Sequence, residues 1–144
     1  MLYRSSHSVY DCRYHLIWCV KYRKRALSHE HEREECKRLL RRIATEYGME
    51  IYTIEVDVDH VHLNIQIPPQ RSVGNAVGIL KSMSARMMFK RFPYLKRKLW
   101  AGKLWSPSYT AKSIGEGVTA EMVARYIELH EKRALEPVQA ELQL

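Results

Sequence analysis

The amino-acid sequence predicts an α+β fold, a split βαβ sandwich in which one antiparallel sheet carries helices on one face. Three observations predict it. The hydrophobic period alternates between about two and about 3.6 residues, in the order β-α-β-β-α-β-α. The switches between periods fall at chain breakers, Gly48, Pro68-Pro69 and Pro93. The chain has 144 residues, 46% hydrophobic and 28% charged, which suits a single domain over 1–144 with a sizeable core and a tail at 135–144.

The first strand is read at 14–22, YHLIWCVKY, where Tyr14, Leu16, Trp18, Val20 and Tyr22 share one side. The first helix, SHEHEREECKRLLRRIATEYG at 28–48, takes Ser28 as its cap. It repeats Leu39, Leu40, Ile43 and Tyr47 at helical spacing and stops at Gly48. MEIYTIEV at 49–56 is the second strand, and DVD at 57–59 a tight connection. The third strand lies in DHVHLNIQIPP, 59–69. Alternation puts Val61, Leu63, Ile65 and Ile67 on one face, and His60, His62, Asn64 and Gln66 on the other. Pro68-Pro69 ends it.

The second helix is SVGNAVGILKSMSARMMFKRF, 72–92, with Val73, Val77, Leu80, Met83, Ser84, Met87 and Met88 on its inner face. Its methionines read as adaptable core filler. A basic loop with aromatics follows at 90–103, then a fourth strand at 104–115, LWSPSYTAKSIG, irregular at Pro107. The third helix is read at 118–137, with Thr119 as N-cap and Glu121 in the first turn, where the helix dipole favours a carboxylate. This order is that of ferredoxin- and RRM-like sandwiches. One sheet face packs on helices, and the other is free for a ligand or a partner subunit.

Charge narrows the function. The net charge is +8, and 60–115 holds no Asp or Glu but ten Lys or Arg. A second basic run, KYRKR, occupies 21–25. Such a distribution favours nucleic acid over a merely solvated surface. Lys21, Arg23, Arg25, Lys81, Arg86, Lys90, Arg91 and Lys112 are the candidate phosphate contacts. Tyr22, Phe92, Tyr94 and Trp100 are candidate stacking platforms for unpaired bases, or core. No apolar run approaches the roughly 18 residues of a membrane span, and the N-terminus has no signal-peptide core. Cys12, Cys19 and Cys36 are widely spaced without a CxxC pair, which disfavours a disulfide framework or zinc finger and fits a reducing cytosol.

Two histidines at i and i+2 on a strand face one way, and can point at one metal ion. Taken alone, such a pair is more often just a polar surface. Tyr126 and His130, at i and i+4, lie one turn apart on one face of the third helix. A metal held by His60, His62 and His130 could polarise a phosphate for attack by Tyr126, a poor nucleophile at its free pKa of about 10. Asp59 either closes the turn before the strand or supports the metal site.

YHLIWCVKYRKR, DHVHLNIQIPP, LWSPSYTAKSIG and GVTAEMVARYIELH, in this order over about 10–134, resemble the small single-tyrosine transposases of the HUH nuclease superfamily. The superfamily's His-hydrophobic-His signature is here His60-Val61-His62. The resemblance implies cleavage and rejoining of single-stranded DNA at insertion-sequence ends through a 5′-phosphotyrosine, with Mg²⁺ or Mn²⁺ as cofactor. It implies His60 and His62 as metal ligands and Tyr126 as nucleophile on a C-terminal catalytic helix. It implies DNA hairpins as partners, a homodimer with active sites that can be completed in trans, and a bacterial or archaeal cytoplasm. His130 stands where the family usually has Gln or Asn as third ligand. An amide oxygen suits Mg²⁺, whereas an imidazole favours Mn²⁺ or softer ions. The competing class is a non-catalytic single-stranded nucleic-acid binder with an RRM-like sheet. It lacks support from any RNP-type motif, and it leaves His60 and His62 idle. Within the enzymes, HUH nickases and domesticated relatives share the motif.

Overall fold

A computed structural model of the chain describes residues 3–4, 9–99, 102–115, 124, 127 and 128. The chain divides into two compact units, Arg13–Ser113 and a smaller one made of Met1–Cys12 with Ile114–Leu144. In the smaller unit, β1 (Tyr3–Arg4) pairs antiparallel with β2 (Val9–Tyr10), and the rings of Tyr3 and Tyr10 stack at 5.9 Å. Of the helix expected at 118–137, the described residues are Ala124, Ile127 and Glu128; all three are helical and exposed. Tyr126, His130 and the tail at 135–144 lie outside the described residues.

The larger unit carries β3 (Arg13–Cys19), α1 (Glu30–Glu46), β4 (Glu50–Val56), β5 (His60–Gln66), α2 (Val73–Arg91) and α3 (Leu95–Lys98), with β6 (Thr110–Ile114) at its end. The sheet order is β4-β5-β3-β6, and β5 pairs antiparallel with both β3 and β4. This is the expected split βαβ sandwich, with the motif-bearing strand in the interior of the sheet.

Alternation decides which face is core. Leu16 and Trp18 of β3 and Val61, Leu63 and Ile65 of β5 are buried, with Val20 just beyond β3. They join Leu39, Leu40 and Ile43 of α1 and Val77, Leu80 and Met88 of α2 in one cluster. Burying each such side chain stabilises by roughly 1.5–3 kcal/mol. β4 keeps the pattern only through a bulge. Ile51 stands opposite Ile65, yet Thr53 is opposite Asn64 and Ile54 opposite Leu63. Tyr52 is the extra residue, and it brings both Ile51 and Ile54 to the core face.

Several boundaries differ from the sequence reading, each for a local reason. The first strand stops at Cys19. Lys21–Arg23 form a 3₁₀ turn in which Tyr22 and Arg23 have φ of 59° and 51°. Tyr22 is therefore not on a strand, and its side chain is 70% exposed. The cap of α1 is His29 rather than Ser28. The His29 backbone N–H donates to Glu32 Oε1 at 2.9 Å, which satisfies one of the free donors of a helix start. Tyr94 Oη donates to the other Glu32 oxygen at 2.5 Å, so this fully buried carboxylate has a partner on each side. Burial and the Glu32 carboxylate push the Tyr94 phenol up to about 12. Gly48, at φ +72°, ends α1: Gly48 N–H donates to Thr45 O and Met49 N–H to Ala44 O. Ser72 caps α2 by accepting from the Asn75 N–H at 3.0 Å.

The expected fourth strand shortens to Thr110–Ile114. Trp105 makes an isolated antiparallel bridge with Val20, and the chain is irregular between the two. The basic loop contains the short helix α3. Phe92, read as a possible base platform, is core, and Trp100 lies outside the described residues.

Candidate functional site

The polar face of the sheet is set by register. His60 stands opposite Cys19, His62 opposite Ile17 and Glu55, and Asn64 opposite His15 and Thr53. With hydrogen-bonded strands on both sides, β5 fixes the direction of its histidines more tightly than an edge strand would. Further along this row, Asn64 Oδ1 and both amide atoms of Gln66 are buried without a hydrogen-bond partner among the described residues.

Each histidine has a partner. His60 Nδ1 lies 2.8 Å from Asp59 Oδ1. A carboxylate only accepts, so Nδ1 carries the proton and Nε2 keeps its lone pair in the neutral ring. The hydrogen bond from His60 holds the Asp59 carboxyl below its usual range, with the nearby Arg23 guanidinium adding to the effect. Arg23 Nη2 stands 3.6 Å from Asp59 Oδ2, and the Val20 N–H donates to the Asp59 carbonyl at 2.8 Å. The left-handed Lys21–Arg23 turn is thereby tied to the residue that orients His60. Asp59 thus takes part in both the connection and the histidine geometry.

His62 Nε2 lies 3.4 Å from His15 Nδ1, with ring centroids 5.4 Å apart. His15 was absent from the sequence reading. Its signal was parity, because in RYHLIWC it alternates with the core residues Tyr14, Leu16 and Trp18. The Asp59–His60 pair has the carboxylate–histidine arrangement that orients imidazole ligands toward a metal. Among the described residues, no three His, Cys, Asp or Glu are grouped to hold an ion. The nitrogen donors of His60 and His62 are of the right chemistry for a divalent cation, and further ligands must come from elsewhere.

The candidate phosphate contacts separate into groups. A groove of about 920 Å³ runs between α2 and the segment 102–109. Val77, Ala85, Phe89, Leu104 and Trp105 supply apolar lining, and Lys21, Lys81, Arg86, Lys90, Lys96 and Lys103 supply charge; among the described residues no acid lines it. Lys96 and Lys103 were missed as contacts, although the acid-free block contains both. Lys81 is partly committed: its Nζ donates to the carbonyls of Ser106, at 2.5 Å, and Ser108, at 3.1 Å, and desolvation lowers its pKa. Trp105 Nε1 donates to the buried Ser84 Oγ at 3.0 Å, which locks the lining to α2. Arg23 joins Asp59 instead of this groove, Arg91 lies over the Phe92 ring at 5.4 Å, and Arg25 and Lys112 are exposed outside it.

A sequence profile described as "Transposase IS200 like" matches residues 8–130. The ISDra2 transposase TnpA of Deinococcus radiodurans is 47% identical over 120 residues, covering 83% of this chain and 84% of that protein. The transposase for insertion sequence element IS200 of Salmonella typhimurium is 31% identical over 111 residues, covering 77% and 72%. The crystal structure of a Deinococcus radiodurans R1 protein described as a transposase superposes with a TM-score of 0.71 at 41% identity, covering 90% of this chain and 97% of that one. A REP-associated tyrosine transposase bound to a REP hairpin superposes with a TM-score of 0.53 at 13% identity, covering 92% and 73%, a likeness of fold.

Proposed function

This chain belongs to the family of IS200-like transposases, and from that premise we propose that it nicks and rejoins single-stranded DNA at insertion-sequence ends through a covalent phosphotyrosine. The observation that carries the reading is the sheet face on which His60, oriented by Asp59, and His62 present imidazoles side by side. Tyr126 is the nucleophile, on the strength of the family resemblance of GVTAEMVARYIELH. Its phenol oxygen bonds to phosphorus, the P–O3′ bond breaks, the phenol proton leaves, and the 3′ oxygen departs as a hydroxyl. The tyrosyl ester replaces the broken phosphodiester one for one. A second 3′-OH can therefore displace the tyrosine and rejoin strands without a nucleoside triphosphate.

His60 and His62 would hold Mg²⁺ or Mn²⁺, which when bound neutralises phosphate charge and aligns it for in-line attack. Asp59 keeps the His60 proton on Nδ1, so that Nε2 stays available. His130, at the family's third-ligand position, is the remaining candidate on the tyrosine segment. The basic groove beside α2 takes the phosphate backbone of a DNA hairpin, the class of ligand carried by the REP-associated relative. Its cations attract any phosphate backbone without reading sequence. The same resemblance extends the proposal to a homodimer in which Tyr126 of one subunit serves the histidine face of the other.

The test is a denaturing gel of wild type and Tyr126→Phe after incubation with labelled single-stranded hairpin DNA and Mn²⁺ or Mg²⁺. The expected result is a labelled protein band in wild type alone. Equal bands from both, on cognate DNA, would sink the proposal. Mixing Tyr126→Phe with His62→Ala should restore activity if the sites are completed in trans.

A further inference from the structure

We propose that Lys81 is a positioning residue: it holds the segment 104–108 against α2, and that segment, through Val20 and Asp59, fixes the direction of His60. The inference rests on the cleavage reading above, and it moves one cation of the groove from binding to alignment. Lys81 Nζ donates to the Ser106 carbonyl at 2.5 Å and to the Ser108 carbonyl at 3.1 Å, which commits two of its three donors. These carbonyls flank Pro107, which has no N–H, in a stretch outside any strand. Such a stretch leaves carbonyls that a sheet ladder would otherwise pair. The ammonium supplies the missing donors, and with its charge the bonds are stronger than neutral ones.

From Ser106 a chain of hydrogen bonds runs to the histidine face. The Ser106 N–H donates to the Cys19 carbonyl at 2.9 Å, and the Lys21 N–H to the Leu104 carbonyl at 2.8 Å. These two bonds clasp Val20, which forms the isolated bridge with Trp105. The Val20 N–H in turn donates to the Asp59 carbonyl at 2.8 Å, and Asp59 Oδ1 accepts from His60 Nδ1 at 2.8 Å. Cys19 also stands opposite His60 in the sheet. A second tie holds the same segment. Trp105 Nε1 donates to Ser84 Oγ at 3.0 Å, and Ser84 Oγ donates to the Lys81 carbonyl at 3.2 Å. Both ties reach α2 within one turn, at Lys81 and Ser84. A reacting phosphate tolerates little error in the groups that align it, so slack at the far end of this chain is felt at His60.

The test compares wild type with Lys81→Met in three measurements on the full chain. Long-range ¹H–¹⁵N spectra of the imidazoles report which nitrogen of His60 carries the proton, with His60→Ala to assign the signals. Hairpin binding across a salt series gives the slope, and single-turnover cleavage at saturating hairpin gives the rate. Lys81→Met should lose the uniform Nδ1–H form of His60 and cleave at least about tenfold more slowly, with the salt slope unchanged. Ser84→Ala loosens the same segment without altering charge, and should slow cleavage in the same direction even where Lys81→Met fails to fold. A slope lowered by about 0.7 with wild-type cleavage at saturation would make Lys81 a phosphate contact and overturn the inference. A lower melting temperature with tautomer and cleavage unchanged would also overturn it, leaving Lys81 a purely structural tie. A wild type that neither binds nor cleaves the hairpin, while the His60 tautomer still shifts in Lys81→Met, would remove the cleavage reading and keep the link to His60.

Discussion

The histidine face and the basic groove, both within residues 13–113, hold their side chains in different ways. On the face, each functional group is tied to another: Arg23 to Asp59, Asp59 to His60, and His15 to His62. In the groove, Arg86, Lys90, Lys96 and Lys103 surround an apolar lining, and Lys81 is anchored to the Ser106 and Ser108 carbonyls. The difference is consistent with the chemistry proposed for each surface. Aligning a reacting phosphate requires donors at fixed positions and directions. Holding a polyanion requires charge density, and the loss of one cation is absorbed by its neighbours. Substitutions should therefore be severe on the face and graded in the groove.

The largest effect is expected from His62→Ala or His60→Ala. Lewis-acid stabilisation is worth several kcal/mol, and each 1.36 kcal/mol is tenfold, so the single-strand cleavage rate should fall at least about a hundredfold. Initial rates on a labelled hairpin measure it, and near-wild-type rates in both variants would erase the contrast. Asp59→Asn comes next. Without the carboxylate, His60 loses its charge-assisted partner, and Mn²⁺ affinity should drop about ten- to hundredfold in a binding titration.

A smaller effect belongs to the groove. The double substitution Arg86→Ala with Lys90→Ala should weaken hairpin binding and flatten its salt dependence. Each lost phosphate contact removes about 0.7 from the slope of log K against log salt on single strands. A slope unchanged in a filter-binding series would place the DNA elsewhere. The smallest effect is expected at Tyr22→Gly. Its φ of 59° is costly for a residue with a Cβ and natural for glycine. Stability should rise by at most about 1 kcal/mol in urea denaturation, the flexibility of glycine offsetting part of the relief. A clear loss would mean that the exposed ring contributes packing.

The contrast also explains what could be read from the chain. The element order, the two faces of β5 and the basic block follow from periodicity and composition, which need only neighbouring residues. His15 was hidden because its meaning depends on register: only the pairing of β3 with β5 brings it to His62. The bulge at Tyr52 was hidden because one extra residue leaves no local mark in MEIYTIEV. The turn at Tyr22 and Arg23 was hidden because left-handed backbone without glycine is imposed by tertiary contacts, here the Val20–Asp59 hydrogen bond and the Arg23–Asp59 pair. Lys81 read as a free cation until Ser106 and Ser108 supplied its acceptors from 25 and 27 residues away.

The division of labour between the two surfaces is tested most directly by measuring hairpin affinity and single-turnover cleavage at saturating DNA, side by side, for His62→Ala and for Arg86→Ala with Lys90→Ala. His62→Ala is expected to bind the hairpin as wild type does but not to cleave it. The groove variant is expected to bind weakly yet cleave at the wild-type rate once DNA saturates. Lost affinity in His62→Ala with cleavage intact at saturation, or a groove variant that cannot cleave at any DNA concentration, would contradict it.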